Sequence, residues 1–329
     1  MKQRDPLISF LQIFGILLVV LGHSFIWYPV NNVLRDWIYS FHMPLFFFIS
    51  GYLFKNFDLI GRNGFLMKKT RRLLFPYIFI SSVIYFSGYS LRKSIVHLGS
   101  TPISKWGHML AYPFQNMVLP FWFLPTLFIV MVIVLCGFKL YNKRRGVIVG
   151  SAIIVLSLIL HIFNPFKGVL VLNMEWVSEY LVYFVFGILY HSKQEKINRL
   201  LFLESKYSVP ILLFLSVELL FLKEFFMIDL CAAVIGILLS IALGYLYIDN
   251  QYHFFHHLEG SSYAIYLFSW FPQVYVQQIL YVENHVHWLM VSLLAIVLGI
   301  YLPVTIWGIV KWLKQHFLYS RYVAILIGL

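Results

Sequence analysis

Two cysteines in 329 residues, Cys136 and Cys231, leave no material for a disulfide framework, and neither stands at metal-ligand spacing from a histidine or another cysteine. Charge is sparse as well: Asp, Glu, Lys and Arg together make up 12% of the chain. Polar stretches are short, so no soluble domain remains once the apolar runs are set aside. No small-residue cleavage site follows the first run, which is expected to stay in place as a helix and not to be removed as a signal peptide. No internal repeat of the kind that builds transporters from two related halves is evident.

What is present is oil. Apolar residues make up 61% of the sequence, more than a soluble core of this size requires. Runs long enough to cross roughly 30 Å of hydrocarbon recur from end to end. They fall at about 8–27, 37–54, 74–91, 121–140, 147–163, 176–191, 208–224, 228–248, 263–281 and 288–312. Barrel strands would be shorter and strictly alternating, so helices are left as the way to satisfy the backbone in lipid. The expected fold is all-α: a polytopic membrane protein with about ten transmembrane helices in one bundle, a single domain over 1–329. With the N-terminus inside, 19 of the 25 Lys and Arg residues fall on the inner segments and six (Arg35, Arg92, Lys93, Lys105, Lys167 and Lys223) fall outside. That asymmetry predicts cytoplasmic N- and C-termini. The net charge of +12 then needs no nucleic acid, since cationic inner loops meet anionic lipid headgroups. A cell membrane is the expected location.

Two histidines interrupt this pattern. His23 lies about 6 Å below the outer end of the first run, and His42 about 7 Å into the second, counting 1.5 Å per residue. Helices joined by a short outer loop are normally antiparallel neighbours, so the two imidazoles share a depth and are free to share a pocket, with Ser24, Ser40 and Ser50 close by in sequence. Two readings stand at this point. Each histidine hydrogen-bonds across the pair and fixes packing, or the pair forms a reaction or ligand site, as intramembrane ionisable groups often do.

Other residues also carry two readings each. Lys68, Lys69, Arg71 and Arg72 crowd the inner mouth of the third run; they anchor the topology, or they grip phosphates. Trp122, bracketed by Pro120 and Pro125, is an interfacial anchor or the wall of a binding site. Glu175 and Glu179 open the sixth run, where a carboxylate suits the helix dipole or binds a sugar hydroxyl. Glu218 sits mid-run and is expected to face the bundle or a water path. His253, His256 and His257 have spacing a metal uses, yet only Glu259 lies nearby, and no metal is expected.

The segments RDPLISFLQIFGILLVVLGHS, FHMPLFFFISGYLF, KKTRRLLFPY, PFWFLPTLF and SSYAIYLFSW, in that order, resemble the acyltransferase 3 family, nearest to the branch of fucose 4-O-acetylases and capsular polysaccharide O-acetyltransferases. The resemblance implies a membrane-bound O-acyltransferase that takes an acyl group, usually acetyl from acetyl-CoA, and delivers it to a sugar hydroxyl of a cell-surface or lipid-linked polysaccharide. It implies His23 as a catalytic residue, Arg72 with Lys69 as the core of a CoA-binding group that Lys68 and Arg71 complete, and Trp122 as a wall for an acyl chain or sugar ring; the shared depth adds His42 as a second catalytic residue, and Glu175 and Glu179 are expected at the acceptor by their place at the outer helix start. The family pattern sets an Arg eleven positions before the catalytic His, where this chain has Gln12. A glutamine there brings no charge. The late motif often ends in His, where this chain has Ser269. The expected chemistry is general-base activation of the acceptor hydroxyl by His23, oriented by His42, with a covalent acyl-histidine relay left open. The rival expectation is a glycolipid or polysaccharide-precursor transporter or flippase that transfers no acyl group.

Overall fold

The computed structural model describes residues 5–25, 33–54, 61–86, 106–113, 121–139, 146–222, 225 and 227–316. Pro120, Arg92, Lys93, Lys105, Lys223 and the end of the third run, 87–91, lie outside the described residues. Among the described residues every regular element is helical. The helices are α1 (Pro6–Ser24), α2 (Val33–Tyr52), α3 (Gly61–Lys69), α4 (Phe75–Phe86), α5 (Trp106–Ala111), α6 (Phe123–Lys139), α7 (Gly146–Phe163), α8 (Met174–Leu200), α9 (Ser208–Phe221), α10 (Ile228–Asp249), α11 (Ser262–Phe268), α12 (Trp270–Val276) and α13 (Trp288–His316). Wide π turns occupy Thr70–Leu74 and Gln277–Glu283. Among the described residues three helices, α1, α10 and α13, are both long and apolar enough to cross a membrane. With the apolar α6, α7 and α9, they mark a membrane protein.

The chain divides into two compact units. The first comprises Met1–Leu53 and Phe186–Trp307. Its centre is α1, α2 and α10 packed on one another, with α9 against α10. α1 starts cleanly because Asp5 caps it, accepting from the Leu7 N–H at 3.0 Å, and Pro6 fills the first position, where a missing N–H costs nothing. Apolar side chains line the seam: Leu18 of α1 packs with Ile38 and Phe41 of α2, and Ile16, Val19 and Val20 pack with Ile265 of α11. Helices in lipid gain little from apolar contact alone, so close backbone approach matters. Gly187 of α8 supplies it, because a Cβ there would run into the Phe48 carbonyl and the Tyr52 nitrogen of α2. Gly236 of α10 likewise leaves room for the Phe41 ring. At the start of α1 a polar network joins four helices. The Tyr52 hydroxyl lies 3.0 Å from Asp5 Oδ2 and 2.8 Å from Gln194 Oε1, and Gln194 Nε2 donates to the Tyr245 hydroxyl at 2.9 Å.

The run at 263–281 differs from the expected single helix. It is interrupted at Ser269, whose own backbone stays helical, so that α11, α12 and a π turn follow one another. Pro272 is the cause: it has no N–H to give the Phe268 carbonyl, and its ring crowds the preceding turn. Of the two settings expected for Glu218, it does not take the bundle, being exposed. α9 turns its Leu212, Ser216 and Leu220 stripe inward, and Glu218 falls on the other side.

The second unit comprises Phe54–Val185 and Gly308–Leu329. Within it α6 packs against α7 and against the π turn at Thr70–Leu74. Leu172 and Asn173, just before α8, sit at φ 52° and φ 56°, a left-handed pair that turns the chain into the helix.

Candidate functional site

In the first unit, His23 stands in the last turn of α1 and Tyr39 and His42 stand three residues apart on one face of α2. The Tyr39 ring touches both imidazoles, with centroids 6.4 Å from His23 and 4.9 Å from His42. Gly22 makes this possible: a Cβ there would come 2.9 Å from Tyr39 Cε2, so only glycine lets the ring lie beside His23. His23 and His42, expected to be free to share a pocket, are bridged by a third side chain that the sequence did not single out.

The two histidines are held differently. His42 is buried, and its Nδ1 lies 2.9 Å from the Ile38 carbonyl. A carbonyl only accepts, so Nδ1 carries the proton and, in the neutral ring, Nε2 is the basic nitrogen. His23 has no such tether at Nδ1, which is buried and has no hydrogen-bond partner among the described residues. Of the serines nearby, Ser24 donates to the Val20 carbonyl at 2.8 Å and Ser40 to the Trp37 carbonyl at 2.7 Å, both local helix bonds.

In the second unit, the stretch KKTRRLLFPY is helical throughout. Lys68 and Lys69 end α3, and Arg71 and Arg72 ride on the π turn. Pro76 explains the widening, because the Arg72 carbonyl cannot receive a bond from it and the Phe75 N–H reaches back to the Thr70 carbonyl instead. Lys68, Arg71 and Arg72 are exposed. Lys69 is half-buried, with Nζ 5.3 Å from the centre of the Phe65 ring. Burial, then the neighbouring charges of Arg72 and Lys68, pull its ammonium down to about 8. Four cations crowded on one short helical stretch, one of them partly stripped of water, make a site that gains from an anion.

Trp122 packs in an aromatic trio, 5.6 Å from Trp176 and 5.5 Å from Tyr180, both on α8. Its carbonyl accepts from Asn173 Nδ2 at 3.3 Å and from the Thr126 hydroxyl at 2.8 Å, and Asn173 Nδ2 also reaches Thr126 Oγ1 at 3.1 Å. Glu175 and Glu179 lie one turn apart on that same α8 segment, so the structure brings all three acceptor-side candidates to one corner. The Glu175 carboxylate accepts from the Gly168 N–H at 3.2 Å, which ties down the loop before the helix. Glu179 is half-buried, and its carbonyl lies 2.8 Å from His161 Nδ1.

The family model of the acyltransferase 3 family, described as an acyltransferase domain, matches residues 6–310. The chain belongs to the acyltransferase 3 family. No curated protein and no solved structure gives a significant match. The match makes the chain an acyltransferase and spans both units.

For an acyltransferase, the departures from the family pattern now have physical settings. Gln12 is half-buried on α1. Ser269 is buried and stands at the break between α11 and α12, where its carbonyl accepts from the Gln273 N–H at 3.3 Å. His256 pairs with Glu259, 3.2 Å apart and exposed. The residues that the sequence did not single out are Tyr39, Asn173, Thr126 and, most of all, Gln273 and Gln277, which follow the late motif. Two amides four residues apart in an apolar run were the signal available for the last pair.

Proposed function

We propose that this acyltransferase is a membrane-bound O-acetyltransferase whose ten apolar runs cross the membrane with both termini cytoplasmic, and that it transfers acetyl from acetyl-CoA to a sugar hydroxyl of a surface or lipid-linked polysaccharide. The single observation that carries the catalytic assignment is His23 Nδ1, a buried imidazole nitrogen with no partner among the described residues. A general base must offer a nitrogen to the substrate's proton, and a nitrogen already tied to the protein does not. His23 takes the proton from the acceptor hydroxyl as its oxygen bonds to the thioester carbonyl carbon. The carbon–sulfur bond then breaks, and the CoA thiolate leaves and takes up a proton. His42, with Nδ1 tethered and Tyr39 against it, orients the pair.

The donor is held by Arg72 and Lys69, three residues apart, with Lys68 and Arg71 beside them. Arg forks and Lys point charges suit the diphosphate and ribose phosphate of CoA. Trp122, Glu175 and Glu179 serve the acceptor, an aromatic face and two carboxylates being the usual means of holding a sugar ring. The motif order, nearest to fucose 4-O-acetylases and capsular polysaccharide O-acetyltransferases, supports a glycan acceptor. The test is a mass comparison of surface glycan from cells with and without the chain. An acetyl-sized increment removed by mild base is expected. Glycan that is unchanged in mass but altered in export would replace this reading with a transporter.

A further inference from the structure

The turn that carries His23 ends among side chains from the far part of its own unit. Gln273 Nε2 donates to the Val20 carbonyl at 2.7 Å and to Ser24 Oγ at 2.8 Å. Gln277 Nε2 donates to the His23 carbonyl at 2.9 Å, and the Ser292 hydroxyl donates to the Ser24 carbonyl at 3.0 Å. The last carbonyls of a helix lack intrahelical donors, and these residues supply them. The same bonds fix which way each amide faces. Backbone carbonyls only accept, and the Ser24 hydrogen is already given to Val20, so both glutamines must turn nitrogen toward α1 and oxygen away from it.

Those oxygens are then left over. Gln273 and Gln277 are 1% and 2% exposed, and the Oε1 of each is buried with no donor among the described residues, as is His23 Nδ1. Three buried polar atoms of side chains fastened to one helical turn thus lack partners, a state that costs free energy unless something supplies donors. Two of the three are strict acceptors. A phosphate, carboxylate or thioester oxygen would meet only their repulsion, so these amides are no grip for the anionic groups of CoA. A ring bearing several hydroxyls is the complementary chemistry.

We infer that Gln273 and Gln277 form the hydroxyl-binding subsite of the acyl acceptor: their amide oxygens accept from hydroxyls of a polyhydroxylated ring and hold a further hydroxyl at the His23 imidazole. This rests on the sugar-acceptor reading above. Gly299 belongs to the device, because a Cβ there would come 2.9 Å from Gln273 Cγ and 3.0 Å from Cδ, displacing the amide.

The experiment uses membranes carrying the full chain, radiolabelled acetyl-CoA, and p-nitrophenyl α-L-fucoside and β-D-galactoside as acceptors over a range of concentrations. Gln273→Met and Gln277→Met should each raise the acceptor KM about five- to tenfold, the worth of one hydrogen bond, and leave the acetyl-CoA KM unchanged. Gly299→Ala should shift the acceptor KM in the same direction. Gln278→Met, whose amide reaches only Glu283 at 3.4 Å, should match wild type. A KM does not depend on how much protein folds, so a purely structural role lowers Vmax with both KM values unmoved, and that result overturns the subsite. Labelling by wild type with acceptor KM unchanged in both methionine variants leaves the sugar-acceptor reading standing and removes the subsite alone. Wild-type membranes that label neither glycoside overturn that reading, and the subsite with it.

Discussion

The two units are built to different tolerances. In the first, three glycines meet backbone or an aromatic ring: Gly187 faces the Phe48 carbonyl, Gly236 the Phe41 ring and Gly22 the Tyr39 ring. In the second, Gly137 faces only the tip of the Ile153 side chain at 3.3 Å, and Gly107 and Gly150 face nothing within 4 Å. A flexible side-chain end can move aside; a carbonyl in a helix cannot. Close backbone contact fixes helix positions to fractions of an ångström, which a proton-transfer site needs. A cationic patch that grips a charged ligand from solvent does not need it. Among the described glycines, the tightest approaches lie in the unit that holds the imidazoles, and the open ones in the unit that holds the cations.

That contrast is open to direct attack. The largest expected effect is on folding: Gly187→Ala drives a Cβ into backbone and should leave little folded protein in detergent size-exclusion profiles, whereas Gly137→Ala should elute as wild type. Equal profiles for the two would remove the difference in tolerance. Next in size, His42→Ala should lower kcat about 10²-fold with KM for acetyl-CoA nearly unchanged, since an orienting and proton-sharing imidazole acts on the chemical step. A change confined to KM would move His42 from chemistry to binding.

The cation patch should respond more gently. Arg72→Lys keeps the charge and removes the planar fork, so the acetyl-CoA KM should rise several-fold, with Arg71→Lys doing less. If both are silent, the patch is a topological anchor only, because the positive-inside effect counts Lys and Arg alike. The smallest effect concerns pH. Lys69, with its ammonium pulled down to about 8, is charged below that value and loses its proton above it. An anion grip that uses it should weaken as pH rises from 7 to 9, seen as a growing acetyl-CoA KM, and Lys69→Arg should flatten the rise. Identical profiles for wild type and Lys69→Arg would take Lys69 out of the donor site.

Much of this was legible in the sequence, and the rest was hidden for identifiable reasons. Apolar length and the absence of alternation predicted helices, because a lipid environment leaves the backbone few choices. His23 and His42 stood out because imidazoles are conspicuous in oil. What stayed hidden depended on where side chains turn. Tyr39 reads as one more interfacial aromatic until Gly22 is seen beneath it. Glu218 reads as facing the bundle or a water path until the stripe of Leu212, Ser216 and Leu220 shows which face of α9 packs. The break at Ser269 was written in Pro272, but an apolar run of the right length masks a proline that a soluble sequence would have advertised. Gln273 and Gln277 were invisible as a pair with α1, since the bonds that orient them cross about 250 residues of chain.

The central claim is that His23 performs the proton transfer of acyl transfer. The direct measurement is incorporation of radiolabel from acetyl-CoA into base-labile glycan ester by membranes carrying wild type or His23→Ala at matched protein levels. Loss of label by a factor of about 10² or more is predicted, with the variant inserted and folded as wild type. Wild-type labelling by His23→Ala would contradict the account.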